Sequence, residues 1–185
     1  MDIQTVGNAF SEEECRAIIV DRLQAHTKPA YSPGMIVNPD IRSSMVNFIY
    51  DNDQDNQWLF ERFWEISREH HLGAIVEKLP FIQFGEYDSQ YSGHFAPHRD
   101  TENFYHGTDR VNFTRRLTIV IQLSDPRTYV GGDLKIYDTL ESEPLIGQKD
   151  RGCAILFPSN SLHEVTKVTT GMRYSLAAWF EGRKI

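Results

Sequence analysis

The sequence predicts a mainly β domain of the α+β class, with supporting helices ahead of a barrel or double-sheet jelly roll. Three observations predict it. Helical periodicity is confined to the first third of the chain, short apolar runs separated by turn residues fill the rest from Pro80 onward, and glycines mark the corners between those runs. Helices first and strands after make a parallel doubly wound sheet improbable. At 185 residues the chain suits one domain, 1–185, with a helical support over about 1–79 and a barrel core over about 80–181.

The first helix is expected from about Ser11 to His26. Ser11 and Glu14 form the pattern of a capping box, and Cys15, Ile18, Ile19 and Leu23 then recur at helical spacing. Pro29, Pro33-Gly34 and Asn38-Pro39 punctuate a looped region, and Arg42 to Tyr50 reads as a strand. A second helix begins near Asn56, with Trp58, Leu59, Phe63, Trp64 and Ile66 on its apolar face and Arg62, Glu65, Arg68 and Glu69 on its wet one. Further strands are expected at Phe81 to Tyr87, Arg116 to Leu123, Asp133 to Tyr137, Ala154 to Phe157, Glu164 to Val168 and Met172 to Phe180.

Composition excludes several function classes. A formal net charge of -7 argues against an extended nucleic-acid surface, which needs clustered Lys and Arg. The charge is uneven, however. Residues 1–97 carry 7 basic and 15 acidic side chains and residues 98–185 carry 12 and 11, so the barrel half is near neutral and compatible with an anionic partner. The two cysteines, Cys15 and Cys153, lie too far apart in sequence to build a Cys-rich zinc site, and both read as small buried hydrophobes. No apolar run is long enough to span a bilayer and the first ten residues lack a signal-peptide pattern, so the expected address is the cytoplasm.

One His-x-Asp occurs, His98-Arg99-Asp100, against roughly 0.5 expected by chance in a chain of this composition. On an extended segment residues two apart share a face, so imidazole and carboxylate could approach one ion. A histidine from a distant strand would complete a two-His-one-carboxylate set with open positions, the arrangement of non-haem Fe(II) sites. His163, after Phe157-Pro158 and a polar turn, is the strongest candidate, with His106 the competitor in the polar stretch Thr101 to Thr114. His26, His70 and His71 read as solvated residues at helix ends, and His94 lies in a turn or strand. Arg173 alternates with Ser175, Ala177 and Trp179 on one strand face, and from alternation alone an inward or an outward guanidinium is equally open. Inward, it would need an anion, and its planar fork suits a carboxylate. Gly131-Gly132 lacks the residues of a phosphate loop, and no Gly-x-Ser-x-Gly elbow supports a serine hydrolase.

Taken in order, Phe84-Gly-Glu-Tyr87, Phe95-Ala-Pro-His98-Arg-Asp100, Arg115 to Leu123, Gly131-Gly-Asp-Leu134, Phe157-Pro-Ser159, His163 and Arg173 resemble the 2-oxoglutarate- and Fe(II)-dependent dioxygenases, and most the prolyl 4-hydroxylase-like branch. The resemblance spans about residues 80–181. It implies a double-stranded β-helix with Fe(II) on His98, Asp100 and His163, the distal carboxylate of 2-oxoglutarate on Arg173, and Tyr87, Thr118 and Ser175 as hydrogen-bonding helpers. Trp179 stands where this branch often has a tryptophan near the cosubstrate. Two positions depart from the branch: many prolyl hydroxylases carry Lys where Arg173 stands, and Tyr87 lies further before His98 than usual, leaving Tyr91 as a substitute.

The implied reaction uses O2 to hydroxylate an unactivated C–H bond of a prolyl, other amino-acid, peptide or small-molecule substrate, releasing succinate and CO2, with ascorbate dependence as a secondary sign. Asp100 favours hydroxylation, since the related halogenases lack this carboxylate. Two other classes stand against this reading. A non-catalytic cupin-like module would use the same ligands for a structural or sensing metal and would not need Arg173. A metal-free β-sandwich would leave His98, Asp100 and His163 far apart. Neither the substrate nor the oligomeric state is legible.

Overall fold

The capping box forms at the start of the first helix. Glu14 N donates to Ser11 Oγ at 3.1 Å while Ser11 N donates to a Glu14 carboxylate oxygen at 2.8 Å, and α1 (Glu12–Gln24) follows. The computed structural model describes residues 2–25, 28–29, 38–52, 54–102 and 112–184, so His26 and His106 lie outside the described residues. The second helix, α2 (Gln57–Glu69), buries Leu59, Phe60, Phe63 and Ile66. Arg62, expected on its wet face, instead reaches Ala9 O at 2.9 Å and the Glu14 carboxylate at 3.1 Å, tying α2 to the start of α1. Among the described residues no helix is long and apolar enough to cross a membrane.

The strands are β1 (Gln4–Val6), β2 (Lys28–Pro29), β3 (Arg42–Ser43), β4 (Met45–Ile49), β5 (Ile82–Asp88), β6 (His94–His98), β7 (Phe113–Gln122), β8 (Tyr129–Gly131), β9 (Leu134–Tyr137), β10 (Leu145–Ile146), β11 (Ala154–Pro158), β12 (Leu162–Val165) and β13 (Val168–Arg183). They form two antiparallel sheets. The larger runs β1-β11-β7-β13-β5-β4-β2, with β8 paired to β13, and the smaller runs β10-β9-β12-β6-β3. This is the double-stranded β-helix, a mainly antiparallel fold with helices on one outer face.

Alternation along the larger sheet separates two cores. Its outer face, including Ile82, Phe84, Ile119, Leu156, Leu176 and Phe180, packs with Phe10, Cys15, Leu59 and Phe63 of the helical support. Its inner face contributes Tyr87, Val120, Ile155 and Phe157 to a second cluster, joined by Phe95, Leu134 and Val165 of the smaller sheet. The helices therefore buttress the back of the sheet whose front carries the candidate site.

Two expected elements differ. Arg42 to Tyr50, read as one strand, is two: β3 pairs with β6 in the smaller sheet and β4 with β5 in the larger, so the chain crosses between sheets at Ser44. A continuous period-2 pattern carries no mark of that switch. The strand expected at Glu164 to Val168 likewise splits, with β12 ending at Val165 and Val168 opening β13. The segment Thr128 to Gly132 is held to β13 by pairing of Gly171 with Tyr129 and Val168 with Gly131. The polar stretch Thr101 to Thr114 falls largely on residues outside those described.

Candidate functional site

His98 and His163 are register partners on neighbouring strands β6 and β12, which brings both imidazoles to the same side of the smaller sheet with ring centroids 4.2 Å apart. Each is fixed by its own backbone. His98 Nδ1 lies 2.8 Å from Ala96 O and His163 Nδ1 2.9 Å from Ser161 O, so each Nδ1–H donates to a carbonyl and each Nε2 is left with a free lone pair. Both Nε2 atoms point at one carboxylate, at 3.6 Å and 3.5 Å from the two oxygens of Asp100. One donor atom from each of the three residues falls within 4.8 Å of the others, and all three are buried.

Asp100 does not reach this position by strand alternation, as the His-x-Asp spacing alone suggests. β6 ends at His98, and Asp100 opens a 3-10 turn, Asp100–Glu102. Its amide donates to Ser159 O at 2.9 Å, and its Oδ2 accepts the Thr118 hydroxyl at 2.7 Å, so the turn after β11 holds its backbone and β7 its carboxylate. Burial alone would raise the pKa of this acid, but His163, His98 and Arg115 together hold it well below the usual carboxylate range. Burial pushes His163 the other way for a base, down to about 4 against the pull of Asp100. The set at neutral pH is therefore one carboxylate and neutral His163, a donor chemistry suited to a divalent metal with positions left open.

Arg173 faces inward on β13, buried to 1% exposure. Its Nη1 donates to Ser175 Oγ at 3.3 Å, its Nη2 to Gln122 Oε1 at 3.0 Å, and its Cζ lies 5.2 Å from the Tyr87 ring centroid. The Nε is buried without a hydrogen-bond partner, and the hydroxyl of neighbouring Tyr129 is equally orphaned. Among the described residues no carboxylate pairs with this guanidinium. A fully buried cation with donors to spare and only neutral partners is unfavourable unless an anion joins it. Gly132, at φ +63°, makes room here, since a Cβ would come within 2.9 Å of Arg173 Cδ.

The helper residues separate by position. Ser175 and Tyr87 touch Arg173, whereas Thr118 serves the Asp100 carboxylate and shares a 2.9 Å hydrogen bond with Ser159 Oγ. Trp179 pairs in register with Thr118 and packs on Phe81 and on the Arg115 guanidinium, so it neighbours the metal-ligand cluster rather than Arg173. Its indole Nε1 is buried without a partner. Of the two tyrosines, Tyr87 lies inside the barrel and Tyr91 is 38% exposed, with its hydroxyl on Glu86 O. His94 is held by Ser92 O and Asp40 O, and His70 and His71 stay at the end of α2.

Sequence reasoning missed Gln122, Tyr129, Ser159, Arg42 and Arg115. Gln122 carried a signal, a polar side chain closing the apolar run Ile119 to Ile121 on the inward register. Arg115 did not. A β-bulge, in which Phe180 pairs with Leu117 but Glu181 with Arg115, turns Arg115 inward, and such a slip leaves no trace in the pattern.

Comparison with known proteins bears on this geometry. The profile of the 2OG-Fe(II) oxygenase superfamily matches residues 82–181. A PKHD-type hydroxylase of Shewanella sp. (strain ANA-3) is 40% identical over 65 residues, covering 35% of this chain and 28% of that protein. One of Acinetobacter baumannii (strain ATCC 17978) is 33% identical over 129 residues, covering 60% of this chain and 55% of that protein. The matched segments thus span well under two thirds of these curated relatives. A prolyl-4-hydroxylase of Pseudomonas putida superposes with a TM-score of 0.69 at 20% identity, covering 98% of this chain and 92% of its own. A prolyl hydroxylase of Trichoplax adhaerens, solved with a hypoxia inducible factor peptide, gives 0.76 at 16% identity over 96% and 82%.

Proposed function

This chain belongs to the 2OG-Fe(II) oxygenase superfamily, and from that premise we propose that it is a hydroxylase that holds Fe(II) on His98, Asp100 and His163 and draws on 2-oxoglutarate anchored by Arg173. One observation carries the reading. A guanidinium with an unpartnered Nε and only neutral hydrogen-bond partners is buried on the inner barrel face that also buries the three-ligand cluster. A closed structural metal site would need a fourth protein ligand and would have no use for that cation.

When bound, Fe(II) and 2-oxoglutarate supply O2-dependent oxidation, with release of succinate and CO2 and hydroxylation of an unactivated C–H bond. The chain's own residues do the positioning. Ala96 O and Ser161 O fix the ring orientations of the two histidines, Thr118 and the Ser159 backbone hold Asp100, and Tyr87, Ser175 and Gln122 hold the Arg173 fork. A peptide, a prolyl or other amino acid, or another small molecule is the substrate, and ascorbate supports sustained turnover.

The test is 2-oxoglutarate-dependent succinate formation with Fe(II), comparing wild type with His98→Ala and Arg173→Ala. Turnover lost in both, with metal binding lost only in the first, supports the assignment. Stoichiometric metal binding without any succinate from wild type supports the cupin-like sensing module instead.

A further inference from the structure

Arg42 is a second buried cation on the inner side of the barrel, and the function proposed above leaves it without an anion. Its Cζ lies 4.4 Å from the centroid of the Phe95 ring, and the other ring stacked on Phe95 is the His98 imidazole, at 3.5 Å. Arg42, Phe95 and the candidate metal ligand thus form one pile. Arg42 Nε donates to Ser44 Oγ at 2.9 Å and the guanidinium faces Tyr87, while Asp100 acts on it through space. Among the described residues no carboxylate forms an ion pair with it.

The charge balance of the interior points the same way. Histidines aside, the buried charged side chains among the described residues are Arg42, Arg115, Arg173, Asp100 and Glu181. Three guanidinium groups face two carboxylates. Fe(II) and dianionic 2-oxoglutarate cancel one another, so the loaded site retains one positive charge. Its location follows from the pairings. Asp100 is committed to the cluster with the two histidines, Glu181 is the register partner of Arg115, and Arg173 awaits the distal carboxylate of the cosubstrate. The residual charge belongs to Arg42. An uncompensated buried guanidinium is unfavourable unless an anion meets it, and its fork fits a carboxylate in two-point contact.

We propose that Arg42 binds a carboxylate of the substrate, so that the site takes a small free carboxylic acid, an amino acid foremost, rather than a neutral residue inside a peptide. This rests on the hydroxylase reading above and adds the substrate class to it. Phe95 sets the guanidinium beside His98, which places the recognised carboxylate next to the reacting end of the site.

The experiment uses the whole chain with Fe(II) and 2-oxoglutarate. Succinate release is measured with each free proteinogenic amino acid, with its primary amide, and with short proline-containing peptides blocked at both ends. A free acid that stimulates turnover while its amide does not is the expected result. Arg42→Gln then raises the KM for that acid by about tenfold or more, the loss expected when a buried charge pair loses one partner, while the KM for 2-oxoglutarate stays within about twofold. Arg42→Lys recovers part of the loss, and a circular-dichroism melt checks that both variants fold. As a readout free of turnover, calorimetric titration of the acid into anaerobic protein loaded with Mn(II) and 2-oxoglutarate shows the same loss of affinity.

Amides or blocked peptides that work as well as free acids overturn the inference, as does an unchanged substrate KM in folded Arg42→Gln. If no acid stimulates turnover while slow uncoupled succinate release persists, this inference fails and the cofactor assignment stands. If wild type neither binds Fe(II) nor consumes 2-oxoglutarate under any condition, the functional reading itself fails.

Discussion

The Thr118 hydroxyl donates to Oδ2 of Asp100 at 2.7 Å, so the carboxylate that faces both histidines is oriented from the opposite sheet. Thr118 is 1% exposed, so its hydrogen bond is shielded from bulk solvent. Thr118→Val keeps the shape and removes the donor. Metal affinity is expected to fall about tenfold, the scale at which outer-shell partners act on a ligand, while Thr118→Ser restores it. Titration of Mn(II) into each variant checks this, and equal affinities for Val and wild type would remove Thr118 from the site.

Arg173 is expected to act on the cosubstrate and not on the metal. Arg173→Ala should raise the KM for 2-oxoglutarate by about thirtyfold or more, since the anion loses its buried partner, with Mn(II) affinity unchanged. Arg173→Lys keeps the charge but not the fork, and an intermediate KM is expected. Gln122→Leu, which strips the Nη2 partner at 3.0 Å, should raise the same KM by a smaller factor without moving the metal titration. A metal affinity that falls with Arg173→Ala would mean that the residue is structural.

The site was legible in sequence where it depended on residue type and order, and illegible where it depended on a break in regularity. Residue type and order were enough to single out His98, Asp100 and His163, whereas alternation left the side of Arg173 open and did not anticipate the 3-10 turn that carries Asp100. Arg42 was hidden because the strand that seemed to contain it divides between sheets at Ser44, and Arg115 because a bulge reverses its side. Trp179 illustrates a third limit. Alternation placed it correctly on the Arg173 face, but it runs six residues further along β13 to Thr118, a distance of roughly 20 Å at strand rise. Sharing a face does not mean sharing a partner.

Gly152 joins the helical support to the barrel. It sits at φ +77°, its carbonyl accepts from Phe10 N at 3.0 Å, and a Cβ would fall 2.0 Å from Phe10 O. Gly152→Ala meets both the left-handed backbone and a backbone atom that cannot swing aside. A destabilisation of about 3 kcal/mol or more is expected, above the range for φ strain alone. Gly7→Ala is the control, with no heavy atom within 4 Å of its added Cβ. Urea unfolding of the two variants checks the difference, and a similar midpoint for both would mean that the Phe10 to Gly152 junction is loose in solution.

Cys15 and Cys153 are both buried and unpaired. Burial pushes the Cys15 thiol up to about 11, with Glu14 and Glu12 adding to the shift and Arg151 opposing it. Burial also raises Cys153 to about 11, with Asp150 adding to it. At pH 8 neither forms a thiolate in the folded chain, and a thiol-specific disulfide reagent should label neither until denaturant is added. The sign of the pH dependence follows. In the unfolded chain each thiol loses its proton near 9.0, so above that pH the folded state binds more protons and stability falls as pH rises, levelling off past about 11. Urea midpoints between pH 8 and pH 11 should show that decline, and Cys15→Ala combined with Cys153→Ala should flatten its slope even though the lost packing lowers the whole curve. A slope unchanged by the double substitution would assign the alkaline loss to other groups.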